Sequence, residues 1–391
     1  MSTVRLNAEG AENAEKNFLQ KEAGTPGKTN PRLGLIAFLR LCLSRSCRGF
    51  FSIFSLRSLR PPRLSLRPHS PDWGLVFVYA LVLALVGAGR AISPEFLTHK
   101  YLMQTALAVA LLGIVSVGVA FITYSRHYVD LSIPGIMALS GIIAVSALKY
   151  GFIASLAAGL AAGMAIGLAN GLVVGYLRLN PIIWTLAMMA VLSGVIRKAY
   201  GGAQVYPDAA TDAGRAFLDL YHVEVLSIVP LPVAILAILA AAGYFLMRHT
   251  GFGAQLKLAG SSYEVARMTG VNVRRAVMAA FIISSATSAA AGILLTSFNK
   301  VGAQYVGRGY DFAAITAVVI GGTTLAGGRG GILGVIGGVM VIALLSSVLS
   351  LVRVGDFTFG EFEKAIVQGV VFILVVGAGS YSRRKSGLDD A

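Results

Sequence analysis

Two carboxylates, Asp130 and Asp311, stand where long apolar runs begin. A buried acid at such a place can carry a proton. An acid in the first turn of a helix can equally anchor that end through the exposed amides and the helix dipole. It can also line a path for a polar solute. Anchoring is the plainest of the three readings, and the residues alone leave all three open. Asn170 is a polar side chain at hydrocarbon depth, set either to cap a packing contact or to face a pathway. Asn180 followed by Pro181 reads as a cap and a first helical residue, with Thr185 one turn further on. No Ser–His–Asp grouping, metal-ligand cluster or acid–base carboxylate pair accompanies these residues, so enzymatic turnover by this chain is not expected. Cys42 and Cys47 have no metal spacing and no histidine pair to complete a site. The glycine-rich stretch GGTTLAGGRGG lacks the lysine and following Ser or Thr of a phosphate-binding loop. It reads as a tight turn at Gly327, Gly328, Gly330 and Gly331 between two short membrane elements. Arg329 then serves as an interface anchor or as a contact for a partner.

The elements that position these residues are membrane helices. Of the 391 residues, 56% are hydrophobic and only 13% charged, about half the charged fraction of soluble domains. The apolar residues cluster into runs near membrane-crossing length. About ten spans can be drawn, near 74–92, 102–124, 131–148, 152–175, 181–198, 226–247, 276–297, 312–327, 331–352 and 362–380. The expected fold is all-α: a polytopic membrane bundle with short broken helices. Gly159, Gly163, Gly167, Gly171 and Gly175 fall four apart and make one smooth ridge, suited to a close helix–helix seam.

The net charge of +15 is distributed as a membrane protein distributes it, not as a nucleic-acid binder would. Eight arginines and no acid lie between Asn30 and Ser70. With the N-terminus inside, Arg126, Arg178, the Arg248–Arg275 loop, Arg329 and the Arg383–Lys385 tail also fall inside. Asp208, Asp212, Asp219, Glu224, Asp356, Glu361 and Glu363 fall outside. Both termini are therefore expected on the cytoplasmic side. Residues 1–71 form a basic extension. It is read as a surface-lying amphipathic segment, a disordered tail, or an upstream piece that adds nothing to the fold. Residues 72–385 form the transmembrane domain and 386–391 a short tail.

Between two of the oily runs lies KLAGSSYEVARMTGVNVRRA, Lys257–Ala276. It reads as a short polar helix, capped by Ser261 or Ser262 and ended by Gly270, before a new span starts at Arg274 and Arg275. Glu264, Met268 and Val271 can share its surface, and Arg267 follows Glu264 by three. An ordinary connecting loop is one reading. A docking helix that carries motion from a cytosolic partner into the membrane is the other.

Four stretches then resemble one family. GSSYEVARMTGVNVRRA is similar to the coupling loop of sugar-importing ABC permeases of the ribose, xylose and galactose branch. LNPIIWTLAMMAVLSG, GYDFAAITAVVIGGTTLAGGRGGILG and VDLSIPGIMALSG resemble three further segments of that family, in the same order. The chain departs from the family pattern at Arg126, His127 and Tyr128, at Pro134, and at Tyr263, where an acid is common. The resemblance covers residues 72–385 and implies a permease of the bacterial inner membrane. It implies a second permease subunit, most simply in a homodimer, and a periplasmic sugar-binding protein. It also implies an ATP-binding subunit that holds ATP and magnesium, so that this chain needs no cofactor. Gly260, Glu264, Arg267 and Gly270 become the ATPase-coupling residues. Ser132, Asn170, Asn180, Thr185 and Thr316 become the sugar-path candidates, because uncharged hydrogen-bonding groups can exchange partners as hydroxyls pass. Asp130, Asp311 and Arg329 remain the helix-end and interface anchors. Two alternatives stay beside this reading: a permease of the same branch for a nucleoside or branched-chain amino acid, and an ion-driven secondary transporter.

Overall fold

The computed structural model describes residues 73–385 apart from 127–128, 226–227, 325–326 and 355–356. The extension 1–71, with Cys42 and Cys47, the tail 386–391, and His127 and Tyr128 lie outside the described residues. The described chain is helical, with two small antiparallel hairpins, Glu224–Val225 with Val229–Pro230 and Arg353–Val354 with Phe357–Thr358.

The helices are α1 (Trp73–Ile92), α2 (His99–Tyr124), α3 (Ile133–Ser146), α4 (Phe152–Leu172, extended by a π-turn over Val173–Leu177), α5 (Pro181–Tyr200) and α6 (Asp212–Asp219). After the first hairpin come α7 (Leu231–His249), α8 (Gly251–Ser261), α9 (Tyr263–Met268), α10 (Val273–Asn299), α11 (Tyr310–Ile320), α12 (Ile332–Leu351) and α13 (Glu361–Lys385). Seven of them, α1, α2, α4, α5, α7, α10 and α12, are long and apolar enough to cross a membrane. At 1.5 Å per residue, α3 and α11 reach only about 21 and 16 Å, short of a hydrocarbon core about 30 Å thick. Both are apolar and largely buried.

A helix hydrophobic on every side belongs inside the protein, and α2 and α10 are such helices, buried along most of their length. α10 packs against α2, α3 and α4, while α12 packs against α1, α2 and α11. α1, α5 and α7 leave most of their apolar surface uncovered, as helices facing lipid do.

The glycine ridge of α4 lies along α10. A methyl group at Gly163 would come within 2.4 Å of Ala289 Cβ, at Gly167 within 2.6 Å of Ser285 Cβ, and at Gly171 within 2.8 Å of Met278 Cα. As the α4 numbers rise the α10 numbers fall, so the two helices run antiparallel with their backbones nearly touching. The facing hydroxyl of Ser285, like those of Ser284 and Ser288 elsewhere on α10, has no hydrogen-bond partner among the described residues. The small size of Ser285, rather than its polarity, is what this seam uses.

The expected consequence is asymmetric. Gly167→Val should cost about 1–3 kcal/mol by overpacking and lower the thermal midpoint of the detergent-solubilised protein. Gly194→Ala on α5, where an added methyl meets nothing within 4 Å, should leave the midpoint unchanged.

Candidate functional site

The chain leaves α2 at Tyr124, turns back, and starts α3 inside the bundle. The amides at that start have no water to bond, and side chains meet them. Asp130, 1% exposed, accepts at Oδ1 from the backbone amide of Ser132 (2.8 Å) and from its hydroxyl (2.5 Å). The Leu131 amide donates to Thr185 Oγ1 on α5 at 3.0 Å. Asn170 of α4 donates to Ser132 Oγ at 2.9 Å and accepts from the indole of Trp184 on α5 at 3.0 Å. The result is one chain of bonds, Trp184 to Asn170 to Ser132 to Asp130, tying α3, α4 and α5 together in the interior. Asp130 Oδ2 is buried with no partner among the described residues.

Three of the five sequence-derived path residues, Ser132, Asn170 and Thr185, thus meet around Asp130. The other two stand elsewhere. Asn180 is exposed and caps α5, accepting from the amides of Ile182 and Ile183. Thr316 is buried on α11 and donates to the carbonyl of Phe312 one turn back. Asp311 sits in the first turn of α11, nearly buried. Trp184 ties its indole into the network, a role that spacing did not reveal.

The polar stretch of Lys257–Ala276 forms two short helices rather than one. α8 ends at Ser261, and α9 begins after Ser262, whose hydroxyl accepts from the Val265 amide at 3.4 Å. α9 closes with a left-handed Gly270 (φ 77°), whose amide donates to Arg267 O, while the Val271 amide donates to Ala266 O. That pair of bonds is a Schellman motif. Ala266 is buried, and Glu264, Val265, Arg267 and Met268 are exposed, Met268 at 85%. Gly260 holds this unit against the bundle. A side chain there would come within 2.0 Å of Tyr124 O and 2.4 Å of Gly328 N, and Gly328 itself donates to Tyr124 O at 3.2 Å. The glycine-rich turn that carries the exposed Arg329 therefore sits between the end of α2 and the end of α8.

An open cleft of about 890 Å³ lies among α2, α11, α12 and α13. The charged Arg308 and Lys364 line it together with six uncharged residues, Asn299, Tyr305, Tyr310, Ser346, Ser350 and Gln368, and Gln368 donates to Ser346 Oγ at 2.9 Å. Sequence reasoning named none of these six. Ser346, Ser350 and Gln368 lie on long apolar helices, while Asn299, Tyr305 and Tyr310 lie at or between helix ends, and only the packing of distant elements gathers them. No group of three His, Cys, Asp or Glu suited to a metal occurs among the described residues.

This geometry is that of a polytopic membrane protein with two half-length helices. Residues 101–376 match the family described as "Branched-chain amino acid transport system / permease component", and the chain belongs to that family. It is 29% identical over 297 residues to the ribose import permease protein RbsC of Escherichia coli strain K12, covering 75% of this chain and 90% of the relative. It is 30% identical over 315 residues to the L-arabinose ABC transporter permease protein AraH of Azospirillum brasilense, covering 80% and 88%. Against the xylose transport system permease protein XylH of E. coli K12 the identity is 37% over 158 residues, 40% of this chain and 39% of the relative. No solved structure matches the chain. The resemblance read from the four sequence stretches is borne out at the level of the family.

Asn170→Leu should strand the Trp184 indole and remove a donor from Ser132, costing about 1–3 kcal/mol. In a Trp73→Phe background only Trp184 remains to fluoresce. Its emission should shift to the blue as the thermal midpoint falls, and an unshifted spectrum would show that the bond to Asn170 is not made.

Proposed function

We propose that this chain is the membrane-spanning permease subunit of an ABC importer for a monosaccharide such as ribose, xylose or arabinose. ATP hydrolysis, with its magnesium, takes place in a partner subunit, and a periplasmic binding protein delivers the sugar. A second copy of the chain completes the path through the inner membrane. The two ends of the chain and the α9 junction face the cytoplasm.

The observation that carries this reading is α9. A six-residue helix has too few internal hydrogen bonds to persist unaided, yet this one is capped at both ends and fixed to the bundle through Gly260 and Ala266. It offers an exposed acid, an exposed base and two exposed apolar side chains, Val265 and Met268. A rigid, mixed surface of that kind suits docking to a soluble motor domain. α10 leads from it through the centre of the bundle.

The hydrogen-bonding groups of Ser132, Asn170, Trp184 and Thr185 are taken up largely by one another, by Asp130 and by the backbone of Leu131 and Ile182. We therefore assign that network to bracing the start of α3, and the sugar contacts to the cleft. The amides and hydroxyls that stand beside aromatic rings there suit a sugar, and Arg308 and Lys364 add donors for its hydroxyls. The sugar names of the relatives favour this cargo over the amino acids of the family description. An ion-driven carrier would instead make Asp130 essential and work without an ATPase.

The test is reconstitution with the cognate ATPase and binding protein. Glu264→Ala with Arg267→Ala should abolish the stimulation of ATP hydrolysis by loaded binding protein while the permease stays folded. Unchanged stimulation would remove α9 from the coupling path. Orientation is checked separately in a variant lacking Cys42 and Cys47. Met268→Cys should react with an impermeant maleimide only after the cells are permeabilised, and labelling of intact cells would reverse the topology.

A further inference from the structure

A second cavity, of about 350 Å³, lies where the end of α2, the α4–α5 joint and the α9–α10 joint meet. Arg126, Arg178 and Arg274 line it with Asn180 and Tyr263, and no Asp or Glu does so among the described residues. Three exposed arginines border one hollow with no counter-charge among the described residues, and an anion seated there would relieve their mutual repulsion. Guanidinium is also the side chain whose planar fork best matches phosphate oxygens.

The backbone supports the same reading. Only three non-glycine residues among those described hold a left-handed φ: Arg126 (88°), Arg178 (56°) and Lys300 (57°). The conformation costs a non-glycine residue about 1–2 kcal/mol, and two of the three line this cavity. Arg178 Nη2 donates to the Tyr263 hydroxyl, and its guanidinium stacks over the Tyr263 ring, 5.2 Å from the centroid. That contact fixes the plane of one fork. The α5 N-terminus also borders the cavity; its first free amides are taken by Asn180 Oδ1, so it contributes the helix dipole rather than open donors.

We propose that this cavity binds a phosphate-bearing anion, either the headgroup of an anionic lipid or a soluble phosphate compound. Occupancy joins Tyr263, the first residue of α9, to Arg178 on the α4–α5 joint and to Arg274 at the start of α10. The bound anion thus pins α9 to the membrane helices beside it. The proposal is independent of which solute the permease carries.

The experiment uses the full chain in neutral detergent at constant ionic strength. Its thermal midpoint is followed against inorganic phosphate and pyrophosphate, with chloride as control. In parallel, the protein is taken from vesicles of phosphatidylcholine with and without phosphatidylglycerol, and retained lipid is weighed by native mass spectrometry. The variant is Arg178→Asn with Arg274→Gln, since asparagine tolerates the left-handed backbone. Arg248→Gln, which removes an arginine that stacks on Tyr244 outside the cavity, is the control. Should the double variant not fold, Arg126→Gln is read in the same way.

Stabilisation by the soluble anions, or selective retention of phosphatidylglycerol, supports the site and names its source. In either case the double variant should bind about tenfold more weakly, a change of about 1.4 kcal/mol, and the control should match the parent. The proposal is overturned if neither probe binds, or if the double variant binds as well as the parent. It is also overturned if the variant loses only its ATPase partner, which would give the arginines to a protein carboxylate.

Discussion

A helix that begins inside a hydrocarbon layer leaves its first amides with no water to bond, and the interior of this protein is arranged around that constraint. α3 is too short to reach both surfaces, so its start lies within the bundle. Thr185 Oγ1 and Asp130 Oδ1 take the amides of Leu131 and Ser132. Asn170 then bonds the Ser132 hydroxyl and is itself bonded by Trp184. The donors and acceptors come from α4 and α5, so the break in α3 is stable only while those helices hold their places. A polar group stranded at this depth loses its full desolvation cost, which makes the three helices a single unit.

The glycine ridge supplies the other half of that unit. Because α4 has no side chains where it meets α10, the two backbones pack directly, and Asn170 is held on a helix that cannot slide without clashing. α10 extends 27 residues, about 40 Å at 1.5 Å per residue. Its near end adjoins α9. At its far end Ser297 donates to Phe217 O at 2.7 Å and accepts from the Tyr221 amide at 3.1 Å. α10 is therefore clamped at its far end to the α6 region and, in between, to α4, so it forms one packed frame with the α3–α4–α5 unit.

What the sequence made legible follows from range. The capping of α9 by Ser262 and Gly270 depends on residues within eight positions, and local chemistry was enough to read it. The split between α8 and α9 was less visible, because Lys257–Ser261 is as helix-compatible as the stretch that follows; it is Gly260, wedged between Tyr124 and Gly328, that fixes where α8 sits. The glycine period of α4 announced a seam but not its partner. The meeting of Asp130 with Asn170 and Thr185 spans more than fifty residues and three helices, and no spacing rule predicts it. The cleft was harder still. Ser346 and Gln368 each look like an isolated polar residue on an apolar helix, the commonest and least informative pattern in such a chain.

The two half-length helices are not equivalent in how their ends are held. The start of α3 is closed by side chains on three sides. The start of α11 has Gly309 at its cap, which offers no side chain to the first amides, and it opens on the cleft through Tyr310 and Ala313. The opposite end of α11 is tight. A side chain at Gly321 would come within 2.3 Å of Gly334 O, and one at Gly338 within 1.9 Å of Ala317 O. The α3 start is thus braced on three sides, while α11 is fastened to α12 by backbone contact at one end and borders the cleft at the other.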